Sequence, residues 1–215
     1  MTYLEAVNAV LRRLRVTEVG SVTETSYSAL IGDFINDSKS RIEESWDWSA
    51  LRTTLTVTTA ADTFNYALTD SQNSIKTINV INDTSNQFMR YQTSTWMDNA
   101  YLNLTPLTGS PFYYNFNGTD TSGDTLVDLY PIPDGVYSLR FNCVLRTADL
   151  VEDSDQILVP SRPIIHAALA LAARERGETG GTSTAEYFVM AESYLSDAIA
   201  LDANRHPEEL IFREV

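Results

Sequence analysis

The sequence predicts an α+β protein: a helical bundle built from the N- and C-terminal helices, with an inserted antiparallel β domain between them. Residues 1–50 and 155–206 place apolar side chains at the 3.6-residue period of amphipathic helices. Residues 51–154 change to strand-like alternation, interrupted by Gly, Pro, Asn and Asp. The 215 residues are 43% hydrophobic, enough for one core or for two small lobes, because a chain of this size buries about 70% of its unfolded surface.

The first helix starts almost at residue 1. Thr2 and Glu5 have capping-box spacing, and Leu4, Val7, Val10, Leu11 and Leu14 form its buried stripe. Gly20 punctuates the end, and Ser21 with Glu24 offers a second capping box. Leu30, Ile31, Phe34, Ile35, Ile42 and Trp46 then mark a longer helix, with Lys39, Arg41, Glu43 and Glu44 expected off its apolar stripe. Leu55 and Val57 alternate with threonines as a first strand. Further strands are expected at 75–81, 88–92 and from Phe112, a helical turn at 94–102, and a polar loop at 117–124.

The clearest strand is 136–145, with Tyr137, Leu139, Phe141, Cys143 and Leu145 on one face. The preceding Tyr130-Pro131-Ile132-Pro133-Asp134-Gly135 predicts a turn, so 126–130 and 136–145 are expected to form a hairpin. An acidic connector, 149–155, leads to a helix with Pro163 in its first turn and Gly177 as its stop. Ser183 and Glu186 have the spacing of a third capping box, opening a helix with Tyr187, Ala191, Tyr194, Leu195 and Ala198 on one face. Pro207 ends helical territory, leaving 207–215 as a short docking segment.

Charge narrows the function. Twenty-nine Asp and Glu against fifteen Lys and Arg give −14, a surface that repels nucleic-acid phosphates and anionic lipids. No run approaches the roughly 20 apolar residues of a membrane span, and the opening lacks the apolar stretch of a signal peptide. Cys143 is the single cysteine, so neither a disulfide framework nor a thiolate metal site is expected. The expectation is a soluble protein kept in a reducing interior.

The sequence offers no catalytic motif. No strand leads into a Gly-rich phosphate cradle. His166 sits in an alanine-rich helix and His206 beside Pro207; neither has a partner at zinc-binding spacing. We therefore expect no enzyme, catalytic residue, cofactor or metal. Glu43–Glu44 and 152–155 are most simply solvated acidic surface, and Asp120 and Asp124 an ordinary turn. Asn82, Asn103 and Asn117 begin Asn-x-Thr triplets that, without a secretory signal, carry no modification. Cys143, Trp46 and Trp48 are expected in core packing. Interaction residues are a better prospect. Leu210, Ile211 and Phe212 are too few to form a core, so they pack back on the chain or dock on a partner. Arg12, Arg13 and Arg15 suit either the acidic face of another subunit or a solvated helix face. A rival from another class is a carbohydrate-binding or carbohydrate-active β module, suggested by the carboxylates and eleven tyrosines; it requires an aromatic cleft with two facing carboxylates.

Particular segments carry a likeness. Ala6-Val7-Asn8-Ala9-Val10-Leu11, then Ile42-Glu43-Glu44-Ser45-Trp46-Asp47-Trp48, then Leu129-Tyr130-Pro131-Ile132-Pro133-Asp134 and finally Arg174-Glu175-Arg176-Gly177 occur in that order. With them the chain resembles the head-to-tail adaptor family of short-tailed bacteriophages, also called tail tubular protein A. The likeness covers both ends and 125–145, and departs at Arg15-Val16-Thr17-Glu18-Val19, where the family often carries a Gly-Glu-Pro-Pro-like segment. The resemblance implies a structural virion protein. It would form a homo-oligomeric ring of about twelve copies between the portal protein and the tail nozzle protein, with tail fibres as further partners. DNA would pass through the lumen during ejection without specific binding. The bundle would form the ring and face the portal, with Leu210, Ile211 and Phe212 docking there. A stopper gating the channel with the 117–124 loop is the alternative in the same setting.

Overall fold

The structure is a computed structural model that describes residues 1–71, 75–102, 106–177 and 182–205. In chain order its elements are α1 (Tyr3–Arg13), α2 (Ser26–Ser45), a 3-10 turn (Ser49–Leu51), β1 (Arg52–Thr58), β2 (Asn65–Ala67), β3 (Ile75–Asn82), β4 (Gln87–Phe88), β5 (Arg90–Tyr91), α3 (Ser94–Leu102), β6 (Tyr113–Thr119), β7 (Thr125–Tyr130), β8 (Ser138–Leu145), α4 (Ser161–Glu175) and α5 (Thr182–Ala203). This is the expected α+β organisation. The chain divides into two compact units, one of residues Met1–Leu51 and Arg146–Val215, the other of Arg52–Leu145.

In the helical unit the first capping box forms as predicted: Glu5 N–H donates to Thr2 Oγ1 at 3.1 Å, and Thr2 N–H to the Glu5 carboxylate at 2.9 Å. The second lies elsewhere. α2 is capped by Thr25 with Ser28, not by Ser21 with Glu24; the Glu24 carboxylate instead accepts from Gly20 N–H. Ser28 wins because its hydroxyl also donates to Val22 O, which closes the turn leading into the helix. The Ser183–Glu186 pair begins at the edge of the described residues and its side-chain geometry is not among them. Gly177 ends α4 with φ +79°, a conformation that favours glycine.

Lys39 and Glu43 do not lie off the apolar stripe of α2. Both side chains are completely buried, in one row with Ile35 and Ile42. Lys39 Nζ donates to Thr147 O and Ala148 O at 3.1 and 2.8 Å. The Glu43 carboxylate accepts from Thr147 N–H and Oγ1 at 3.0 and 2.7 Å. One turn earlier, Asn36 exchanges two hydrogen bonds with the backbone of Leu150. The residues after β8 are therefore bound to α2 as an extended segment whose backbone polarity is satisfied by side chains. Leu150, Ile157 and Val159 enter the core beyond it.

The β unit packs two four-stranded sheets, in the orders β1-β8-β3-β4 and β2-β7-β6-β5. Its core consists of Val57, Leu68, Val80, Met89, Tyr114, Val127, Leu129, Leu139 and Phe141. Alternate residues of β8 point inward as predicted. The expected hairpin is absent: β7 pairs with β2 and β6, whereas β8 pairs with β1 and β3 in the other sheet. Pro131 and Pro133 lack the N–H groups that would continue a ladder, so the segment turns a corner between sheets, held by Ile132 against Leu107 and Gly109. The loop expected at 117–124 is also shorter. β6 runs to Thr119, and the Asp120 carboxylate closes a tight turn by accepting from Ser122 and Asp124 N–H.

Candidate interaction surfaces

α5 has twenty-two residues, yet between 185 and 203 only Ala191 and Asp202 are buried. Its neighbour in the unit is α4, against which the expected face of Tyr187, Ala191, Tyr194, Leu195 and Ala198 is buried or half-buried. Tyr194 lies 4.8 Å from the ring of His166. Burial, with Arg13 and Arg162 adding to it, holds His166 below its ordinary range, so it packs as a neutral ring. Elsewhere α5 leaves apolar side chains uncovered: Val189 and Leu201 are each 69% exposed and Met190 40%. Scattered exposed apolar residues are ordinary. Val189 and Met190 are neighbours in the first half of α5, whereas Leu201 lies about 18 Å further along the helix and lines a groove.

The lower half of α5 is fixed by one carboxylate. Asp202 accepts from Ser49 Oγ at 2.5 Å, Ser49 N–H at 3.0 Å and the Trp46 indole N–H at 3.2 Å. Burial opposes its charge, but these donors and Arg205 outweigh that and hold its carboxyl below the ordinary range. Beside this latch runs a groove of about 920 Å³, whose walls include Met1, Trp48, Leu158, Tyr194, Leu201 and Arg205. Trp48 is buried, as expected, and donates to Ile42 O.

Arg12, Arg13 and Arg15 are exposed at the end of α1. Arg12 pairs with Glu18 at 3.0 Å, and Arg13 donates to Ala9 O at 2.7 Å. Arg176 joins them from the end of α4. It donates to Leu14 O and to Tyr27 Oη, with its guanidinium 4.9 Å from the Tyr27 ring. Leu210, Ile211, Phe212 and His206 lie outside the described residues.

In the β unit aromatic side chains pack against one another in tilted and edge-to-face pairs. Trp96 of α3 lies 4.8 Å from Tyr113 and 5.6 Å from Tyr130, and Tyr101 lies 4.9 Å from Phe64. Cys143 is buried, and burial pushes its thiol above the ordinary range, consistent with packing and unsuited to a nucleophile. Among the described residues, no group of three His, Cys, Asp or Glu could hold a metal ion, and no helix is long and apolar enough to cross a membrane.

The family model of the SU10 adaptor protein matches residues 1–209, nearly the whole chain. The chain belongs to the SU10 adaptor protein family. No curated protein matches it. The phage adaptor that the segments at both ends resemble is thus borne out at the level of the family, which is one of structural proteins. Within this adaptor, the quoted motifs have physical roles. Asn8 of the opening motif clamps Val19 through its backbone N–H and O, both at 2.9 Å. Trp46 and Trp48 anchor the end of α2 to Asp202 and Ile42. The sequence did not single out Asp202, and it offered Arg176 only as part of the Arg174–Gly177 segment, without its contacts; the partners of both lie about 150 residues away in the chain.

Proposed function

We propose that this phage adaptor is a neck component, a ring of about twelve copies seated between the portal protein and the tail nozzle protein. The observation that carries the reading is the uncovered apolar surface of α5, with Val189 and Met190 exposed in a chain of an adaptor family. A helix left so incompletely packed in one copy fits a contact with the next, and a charge of −14 requires that copies meet through apolar or charge-paired surfaces. Arg12, Arg13 and Arg15 supply the cationic part of that contact. The helical unit builds the ring and faces the portal. The β unit meets lower tail components or fibres.

The same charge suits a DNA channel. Carboxylates facing the lumen repel phosphates and prevent the counterion-release binding that would stall the genome. Screening confines the repulsion to about 8 Å at physiological salt, so it acts at the wall. Leu210, Ile211 and Phe212 dock on the portal. In a co-sedimentation assay with the portal ring, a chain lacking 207–215 keeps its fold by circular dichroism and loses portal binding; undiminished binding would overturn the docking role.

A further inference from the structure

The groove beside Asp202 is partly apolar, and the chain itself carries a segment of matching chemistry. Its walls mix apolar side chains with cations: Met1 and Leu158 are 42% and 53% exposed there, Leu201 69%, and Arg162 and Arg205 stand at its rim. Arg205 is both a wall residue and the last described residue. The next ten residues are His206-Pro207-Glu208-Glu209-Leu210-Ile211-Phe212-Arg213-Glu214-Val215, an apolar triplet preceded by two carboxylates.

We propose that, in the free protein, Leu210, Ile211 and Phe212 of the same chain occupy this groove. Three observations favour that occupant. Reach suffices: the groove follows α5 from Tyr194 to Arg205, about 16 Å at helical rise, while residues 206–212 span up to about 23 Å extended. In sequence, Pro207 disfavours a continued helix, which is compatible with a reversal toward the groove. Charge matches, with Glu208 and Glu209 entering past Arg205 and Arg162, and Arg213 meeting Asp197, another wall residue. A tethered segment also acts at an effective concentration in the millimolar range, which favours its own groove over that of a second copy. The inference concerns the isolated protein and stands apart from the portal reading; docking on the portal would vacate the groove.

Disulfide trapping in the full-length protein, without portal, tests it. Leu201→Cys with Phe212→Cys pairs a groove wall with the segment. Ala203→Cys with Phe212→Cys is the control: Ala203 is as near the segment's tether at Arg205 as Leu201 is, but it lies outside the groove walls, so a free flexible tail would reach both alike. Both helix positions are exposed, so folding is preserved, and native Cys143 is buried. The expected result is an intramolecular disulfide in the Leu201 pair, forming at least tenfold faster than in the control and at a rate independent of protein concentration. Equal rates in the two pairs would overturn the proposal. Disulfide-linked dimers that increase with concentration would also overturn it and assign the groove to another copy's segment.

Discussion

The β unit and the helical unit solve the burial problem differently. The β unit closes two sheets over a single cluster in which Leu68, Val127, Leu129, Leu139 and Phe141 have no exposed surface. Asp128, buried in this unit, is answered by side chains of the same unit, accepting from Asn65 and Asn117 at 2.6 and 2.8 Å. The helical unit has a dense centre, from Val7 and Val10 of α1 through Ile31 and Ile35 of α2 to Ile164 and Ala168 of α4. Around that centre it relies on long-range polar clamps, and it leaves most of α5 uncovered. The difference teaches that a unit can be well folded and still unfinished; here the unfinished side is where a second copy is expected.

The largest effects should separate the two units. Phe141→Ala removes a fully buried ring from the β core and should cost about 3–5 kcal/mol. In a urea titration followed by local probes, the β unit should unfold first while the helical unit keeps its midpoint. A coincident shift of both would show that they fold as one. Glu43→Ala should cost the helical unit a similar amount, about 3–5 kcal/mol, because Lys39 would keep a buried charge without its carboxylate. Lys39→Met with Glu43→Leu should cost less than Glu43→Ala alone; an equal or larger loss would mean that the bonds to Thr147 and Ala148 matter more than the charge.

A smaller effect probes the α5 latch. Asp202→Asn leaves one acceptor oxygen for the donors of Ser49 and Trp46 and should cost about 1–3 kcal/mol at neutral pH. The folded-state pKa of Asp202 lies below its ordinary value, so its contribution is present above about pH 4 and is lost as pH falls through the folded value. The stability gap between wild type and variant should therefore narrow on acidification. A gap that stays constant in thermal melts down to pH 3 would remove charge from the explanation.

What was legible in the sequence follows from what is local. The Thr2–Glu5 cap, the stop at Gly177 and the alternation of β8 depend on residues a few positions apart, and all three form as the sequence predicts. Pairing across the β unit is not local. Nothing near Pro131 says that the following strand joins the other sheet, because that depends on β1 and β3 offering partners to β8. Lys39 and Glu43 sit at positions i and i+4, and charged residues at that spacing usually mean a solvated face. Only their register with Ile35 and Ile42 pointed inward, and the backbone they serve, at Thr147 and Ala148, lies more than a hundred residues away. The uncovered side of α5 could not be read either, since apolar periodicity does not say whether a face meets its own chain or another.

The most direct test of an unfinished helical unit is the mass of the 24.0 kDa chain in solution, alone and with its portal ring, for wild type and Val189→Asp. Wild type should assemble into a ring of about twelve, by itself or on the portal. The variant, altered at a position 69% exposed, should keep its melting temperature and fail to assemble. A wild-type chain that remains a monomer in the presence of the portal, or a variant that assembles as well as wild type, would contradict the account.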